Sequence, residues 1–281
     1  MKTMPRSPGF LAALGMTGGG SCASLWVAWA VMLAGCYTVP ETGRRALILP
    51  LVDEVAKGNA AFTELKARGP LSLNPEYNAR VRRVGQRIAA AVGGELPGAS
   101  WEFVVFEEPT TVNAFALPGG KVGVSSGLLI LTDNDDQLAI VMGHEIAHVT
   151  ARHGAQRITE TTLAALGAVV VEAITKSKGG NALALIGYGL AAGESILTFS
   201  RAHEREADYI GLRYAARAGY DPRAALDFWR KMSDISEGGV FSLLLRTHPL
   251  TITRLADLQK WMPEVLPLYE SAKEGSGQKK E

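Results

Sequence analysis

With 281 residues and 29 Lys and Arg against 28 Asp and Glu, the chain carries no charge excess of the kind that draws a protein to nucleic acid. An apolar share of 47% is enough for a sizeable core and too high for a disordered chain. There are two cysteines, Cys22 and Cys36, so no disulfide framework is expected to hold the fold.

Residues 1–35 read as a targeting segment. Lys2 and Arg6 supply a sparse positive start, an apolar run follows from Ala23 to Ala34, and small residues close it. The ending Leu33-Ala34-Gly35-Cys36 resembles a bacterial lipobox, which implies lipidation of Cys36 as the first residue of the mature chain. Cleavage there removes Lys2 and Arg6 and leaves no basic surface for anionic lipid. Membrane attachment would then rest on the acyl anchor. The expected location is the cell envelope, at the outer membrane and facing the periplasm.

Residues 36–52, with Pro40, Gly43 and Pro50, are expected to be an extended linker, and residues 53–271 the folded domain. A helix is predicted from Asp53 to Arg68, stopped by Gly69-Pro70. Asn74 with Pro75 opens a second, whose apolar face is Tyr77, Val81, Val84 and Ile88. Trp101 to Phe106 has strand composition. Asn113 to Val124 reads as strand, turn and strand around Pro118-Gly119-Gly120. The edge of such a strand can pair with an extended peptide, which makes Asn113, Ala114 and Phe115 candidate substrate-binding residues. A hairpin that merely covers the core fits the same pattern.

The next segment, predicted helical from Asp135 to His153 with Gly154 as its stop, contains His144-Glu145-Ile146-Ala147-His148. Side chains four apart share a helical face, so both imidazoles can hold one zinc, and Glu145 is placed to act on a water as general base. These polar groups interrupt an apolar run, where burying them without partners is costly. Apolar, Ala- and Gly-rich stretches at 163–171 and 182–193 follow, separated by Lys176 to Gly180 and too short to span a bilayer. They are read as two buried or membrane-facing helices.

Zinc needs a third protein ligand and an open position. Glu204 and Asp208 share a face of a later helix beside a stripe of Ala207, Gly211 and Ala215. Glu204 is the candidate ligand and Asp208 a partner for the far nitrogen of a ligand histidine. Glu206 is the rival, about 200° round the helix; Glu172 and Glu194 are weaker candidates. His203 and His248 are candidate donors to a reaction oxyanion, and His248 could instead occupy the open zinc position. His153 is expected at the surface, and 272–281 as a disordered tail.

The set His144-Glu145-x-x-His148, then Glu204-x-x-x-Asp208, resembles the HtpX and CAAX-prenyl-endopeptidase family of gluzincin zinc metallopeptidases. Asn113-Ala-Phe-x-Leu-Pro-Gly-Gly and Thr247-His248-Pro249 with Arg254 match further signatures. The resemblance covers about residues 50–262 and is nearest to the lipoprotein, Oma-type branch. It implies one zinc per chain held by His144, His148 and Glu204, Glu145 as base, and protein or peptide substrates in envelope quality control. The expected fold is α+β and mainly helical, a gluzincin core with a small sheet or hairpin beside the active-site helix. A zinc-containing chaperone or outer-membrane assembly factor with secondary proteolysis is the alternative.

Overall fold

A computed structural model describes residues 35–50, 53–177, 199–237, 243–248 and 252–277. Residues 1–34 of the expected targeting segment and the whole second apolar stretch, 182–193, lie outside the described residues.

The span expected as a linker is extended, but it is paired and packed. Strands β1 (Gly35–Thr38) and β2 (Arg45–Ile48) form an antiparallel hairpin with Cys36 opposite Leu47. Alternation explains its docking: Ala46 and Ile48 are buried while Arg45 and Leu47 are exposed. Tyr37 Oη donates to Thr150 O at 2.6 Å, and Leu49 N donates to Thr159 Oγ1 at 3.0 Å.

Helix α1 (Glu54–Arg68) is capped by Asp53, and α2 (Pro75–Val92) by Asn74 with proline in its first turn. Val81, Val84 and Ile88 of α2 are fully buried, as their spacing predicts. Strands β3 (Glu102–Phe106), β4 (Ala114–Leu117) and β5 (Lys121–Ser125) make a sheet in the order β3-β5-β4. Strand β5 pairs parallel to β3 and antiparallel to β4, so β4 is an edge. Ser125 then caps a short helix, α3 (Ser126–Leu131), through Leu128 N.

Helix α4 (Asp135–Thr150) is the centre of the molecule, buried at every position from Gln137 to Thr150. Asn134 accepts from Gln137 N, and Gln137 reaches back to Asp133 N, so both ends of the first turn are satisfied. The helix stops earlier than expected. Arg152, not Gly154, takes the left-handed conformation after its last turn, at φ 55°. The guanidinium of Arg152 pairs with Glu54 and lies over the Tyr37 ring, which holds that uncommon backbone in place. Gly154 instead falls in the first turn of α5 (His153–Ser177).

Helices α6 (Arg201–Arg217), α7 (Ala224–Glu237), α8 (Leu243–Thr247) and α9 (Ile252–Gly277) complete the described fold. The expected tail from 272 is helical as far as Gly277, because Glu270, Ala272, Lys273 and Glu274 are good helix formers that carry α9 onward. Helix α4 packs on α6, α2, α7 and strand β4, and α6 packs in turn on α9. The architecture is α+β and mainly helical, with the small sheet beside α4. No described helix is long and apolar enough to cross a membrane.

Candidate active site

The site forms where α4 crosses α6, and two glycines set the approach. A Cβ on Gly211 would sit 2.6 Å from His144 N and 2.8 Å from Gly143 C. A Cβ on Gly143 would sit 2.8 Å from Gly211 O. The backbones therefore meet where only glycine fits, and this brings His144 and His148 of α4 against Glu204 of α6.

His144, His148, Glu204 and His248 each present one ligand atom, all within 4.8 Å of one another and all buried. His144 Nε2 lies 3.1 Å from His148 Nε2 and 3.3 Å from His248 Nδ1. Glu204 Oε1 is 2.9 Å from His248 Nδ1, and Glu204 Oε2 is 3.4 Å from His144 Nε2. His248 comes from the end of α8, where its N–H donates to Leu244 O.

The far sides of the rings are also held. His144 Nδ1 lies 2.9 Å from Asp208 Oδ1, and Arg254 from α9 grips both Asp208 oxygens at 2.7 Å. Arg254 also reaches Glu204 Oε2 at 3.1 Å and lies over the Trp229 ring. A ring proton on the Asp208 side leaves His144 Nε2 as a lone pair aimed into the cluster. Imidazole nitrogens and a carboxylate that converge in a buried site are a donor set that a cation satisfies. Three imidazole nitrogens and one carboxylate oxygen are the chemistry zinc prefers, so the residues fit that ion.

Electrostatics separate the roles. Burial opposes charge on His144, but Asp208 and Glu204 outweigh it and push the ring up to about 9. Burial and the surrounding histidines hold His148 well below its usual value. Burial works against an ionised Glu204, yet His144 and His248 keep its carboxyl well below the usual range. Glu145 is raised by burial and opposed by His248 and His144. Among the described residues its Oε1 makes no hydrogen bond; it lies 3.5 Å from His248 Nε2, beside the four donors and outside their set.

The sequence-predicted residues are brought together with exceptions. His144, Glu145, His148, Glu204, Asp208 and His248 form one cluster. Asn113, Ala114 and Phe115 belong to the β4 edge; Asn113 is tied to Ser125, and Phe115 packs on Phe62 and Phe106. Cys36 is exposed on β1. His203 stacks on His153 at 4.4 Å and is not among the four donors. His153, expected at the surface, is completely buried, because α4 turns at Arg152 and sends residue 153 back toward His148. Glu206 stands away from the donors and faces His153 at 2.9 Å. Glu194 lies outside the described residues.

Sequence reasoning passed over Phe199, whose ring lies 4.0 Å from that of His148 and 5.3 Å from that of His248. It also gave Arg254 no role. A buried Asp208 calls for a cation, but nothing local marks an arginine 46 residues away.

Residues 75–262 match peptidase family M48. The chain is 36% identical to the mitochondrial metalloendopeptidase OMA1 of Saccharomyces cerevisiae over 183 residues, 63% of this chain and 51% of that protein. It is 36% identical to the OMA1 of Schizosaccharomyces pombe over 232 residues, 80% and 66% of the two chains. It is 30% identical to the beta-barrel assembly-enhancing protease of Escherichia coli over 246 residues, 84% and 50%. The chain thus spans about half to two thirds of the length of these relatives.

Proposed function

The chain belongs to peptidase family M48, and on that premise we propose that it is a zinc-dependent endopeptidase acting on envelope or membrane-associated proteins. The observation that carries the reading is the convergence of His144, His148, Glu204 and His248, with the Glu145 carboxylate buried beside them. His144, His148 and Glu204 would hold the zinc. A zinc ion there supplies Lewis-acid polarisation of a peptide carbonyl and makes water more acidic.

The chain's own groups do the rest. Glu145 takes a proton from water at its carboxylate and delivers it to the leaving amine nitrogen. Burial supports this role, since it raises the proton affinity of that carboxylate. Asp208, clamped by Arg254, fixes the rotation of His144. The edge of β4 runs beside α4, and among the described residues no strand pairs with its outer side, which suits an extended peptide that enters as an added strand. Asn113, Ala114 and Phe115 lie where such a strand would begin.

His248 supplies the fourth donor in the set, and we take it as a cap on the open position at rest. Its Nδ1 lies among the ligand atoms, which favours a cap over a donor to the oxyanion. Cys36 would carry the lipid anchor, and its exposure on β1 is compatible with modification. Both yeast relatives are named as mitochondrial metalloendopeptidases. The Escherichia coli relative is named as a beta-barrel assembly-enhancing protease, so an assembly factor with secondary proteolysis is the second reading.

Glu145→Gln decides between proteolysis and assembly alone. The variant should keep its zinc and its fold and lose at least about 100-fold in casein cleavage, the usual contribution of a general base. Full cleavage at equal zinc content would remove Glu145 from the reaction. Absence of cleavage in the wild type at full zinc occupancy would favour the assembly reading.

A further inference from the structure

The two ligand histidines are held from behind by different parts of the chain. His144 leans on Asp208 and Arg254, both from the helical layer. His148 leads elsewhere. Its Nδ1 lies 2.9 Å from His153 Nδ1, and His153 Nε2 lies 2.9 Å from Glu206 Oε2. Glu206 in turn accepts from Thr42 Oγ1 at 2.6 Å and from Arg44 Nε at 2.7 Å. Arg44 also donates to Gln156 Oε1 at 2.8 Å, and Gln156 donates to Ala151 O at 2.7 Å, which ties the strand to the turn after α4.

The donors and acceptors of this chain run in one direction. Glu206 is a carboxylate paired with Arg44, so the His153 nitrogen facing it must carry a proton. A neutral His153 ring then presents a lone pair at Nδ1. His148 must carry its own proton on Nδ1 to meet it. That tautomer leaves His148 Nε2 as a lone pair aimed at the donor cluster. The opposite tautomer would set a lone pair of His153 against the Glu206 carboxylate and place a proton among the ligand atoms.

We propose that the β1–β2 hairpin is part of the metal centre: Arg44, through Glu206 and His153, fixes the tautomer and rotation of His148 for zinc. His153, Glu206 and Arg44 are positioning residues, and none touches the metal position. The inference rests on the zinc reading of the site. It also gives the hairpin, whose first strand carries the exposed Cys36, a purpose beyond linking. Partners behind a metal-bound histidine commonly contribute 10- to 100-fold in metal affinity.

The test is zinc affinity of the full chain, read by competition with a chromophoric chelator. Variants are Arg44→Ala, Glu206→Gln, the two together, and Arg44→Lys. Each single change should weaken zinc by about 10-fold, and the pair by no more than either alone, because both cut the same path. Arg44→Lys should recover part of the loss, since it keeps the charge and loses the fork. Thermal midpoints in excess chelator, within a few degrees of wild type, should show that the variants remain folded. Ring 15N shifts report the tautomer directly: His148 should carry its proton on Nδ1 in the wild type and a mixture in Arg44→Ala. Wild-type affinity in both single variants, or independent losses that multiply in the double variant, would overturn the relay and leave the zinc site standing. A wild-type chain that takes up no zinc would overturn the site and the relay together.

Discussion

Glu145 and His148 are both buried on α4, yet the proposed mechanism gives them opposite work. Burial and the neighbouring imidazoles hold His148 well below its usual value. Among the described residues Glu145 Oε1 makes no hydrogen bond, and burial raises the proton affinity of its carboxyl. His248 is the third case. It reaches Glu204 with one nitrogen and approaches Glu145 with the other, so it joins the proposed ligand set to the proposed base. A cap that fills the open position in about nine chains of ten would leave one in ten competent, and activity scales with that fraction. His248→Ala should therefore raise basal casein cleavage about tenfold at matched zinc occupancy. A fall in kcat instead would assign His248 to the oxyanion, and an unchanged rate would remove both roles.

At the scale of elements, the site is a crossing of α4 and α6 at Gly143 and Gly211. An alanine at 211 would drive its Cβ into the backbone of His144, and backbone in the middle of a buried helix cannot yield as a flexible side chain does. Gly211→Ala should cost about 1–3 kcal/mol. For a domain of this size that is about 2–4 °C of melting temperature per kcal/mol. It should also lower zinc content, because the strain separates His144 from Glu204. A variant that melts as wild type and keeps its zinc would show that the close crossing is not needed. Much of this was legible in the sequence. The four-residue spacings of His144 with His148 and of Glu204 with Asp208 gave the faces, and the small residues at 207, 211 and 215 gave the close approach. The helix starts predicted at Asp53, Pro75 and Asp135 fall within one residue of where three helices begin. What could not be read depended on contacts between distant segments. Arg152 adopts a backbone that glycine favours because Glu54 and Tyr37 hold its side chain. Gly154 was therefore an incorrect stop, and the displaced turn buried His153. Pro40 and Gly43 suggested a linker, and only the alternation of Ala46 and Ile48 hints at a docked strand.

On the scale of the whole molecule, the N-terminal hairpin and the catalytic helices form one body around α4. Tyr37, Arg44 and Leu49 each bond to the α4–α5 region, so the proposed anchor residue lies on a strand that is already docked. An acyl chain on Cys36 would hold the metal site within a short distance of the lipid surface and restrict substrates to those at the membrane. Labelled palmitate should enter the wild-type chain in a bacterial host and not the Cys36→Ser variant, whose precursor should accumulate. Absence of label in the wild type would separate the protease from its proposed anchor.

The central claim is that peptide-bond cleavage depends on a metal held by His144, His148 and Glu204. The most direct measurement strips the full chain with chelator and restores zinc stepwise while casein cleavage is followed. Cleavage should vanish on stripping, return in proportion to added zinc and saturate at about one ion per chain, the stoichiometry of a single catalytic site. Glu204→Gln should show no return over the same range. Cleavage that survives complete stripping, or a chain that binds one zinc and never cleaves, would contradict the account.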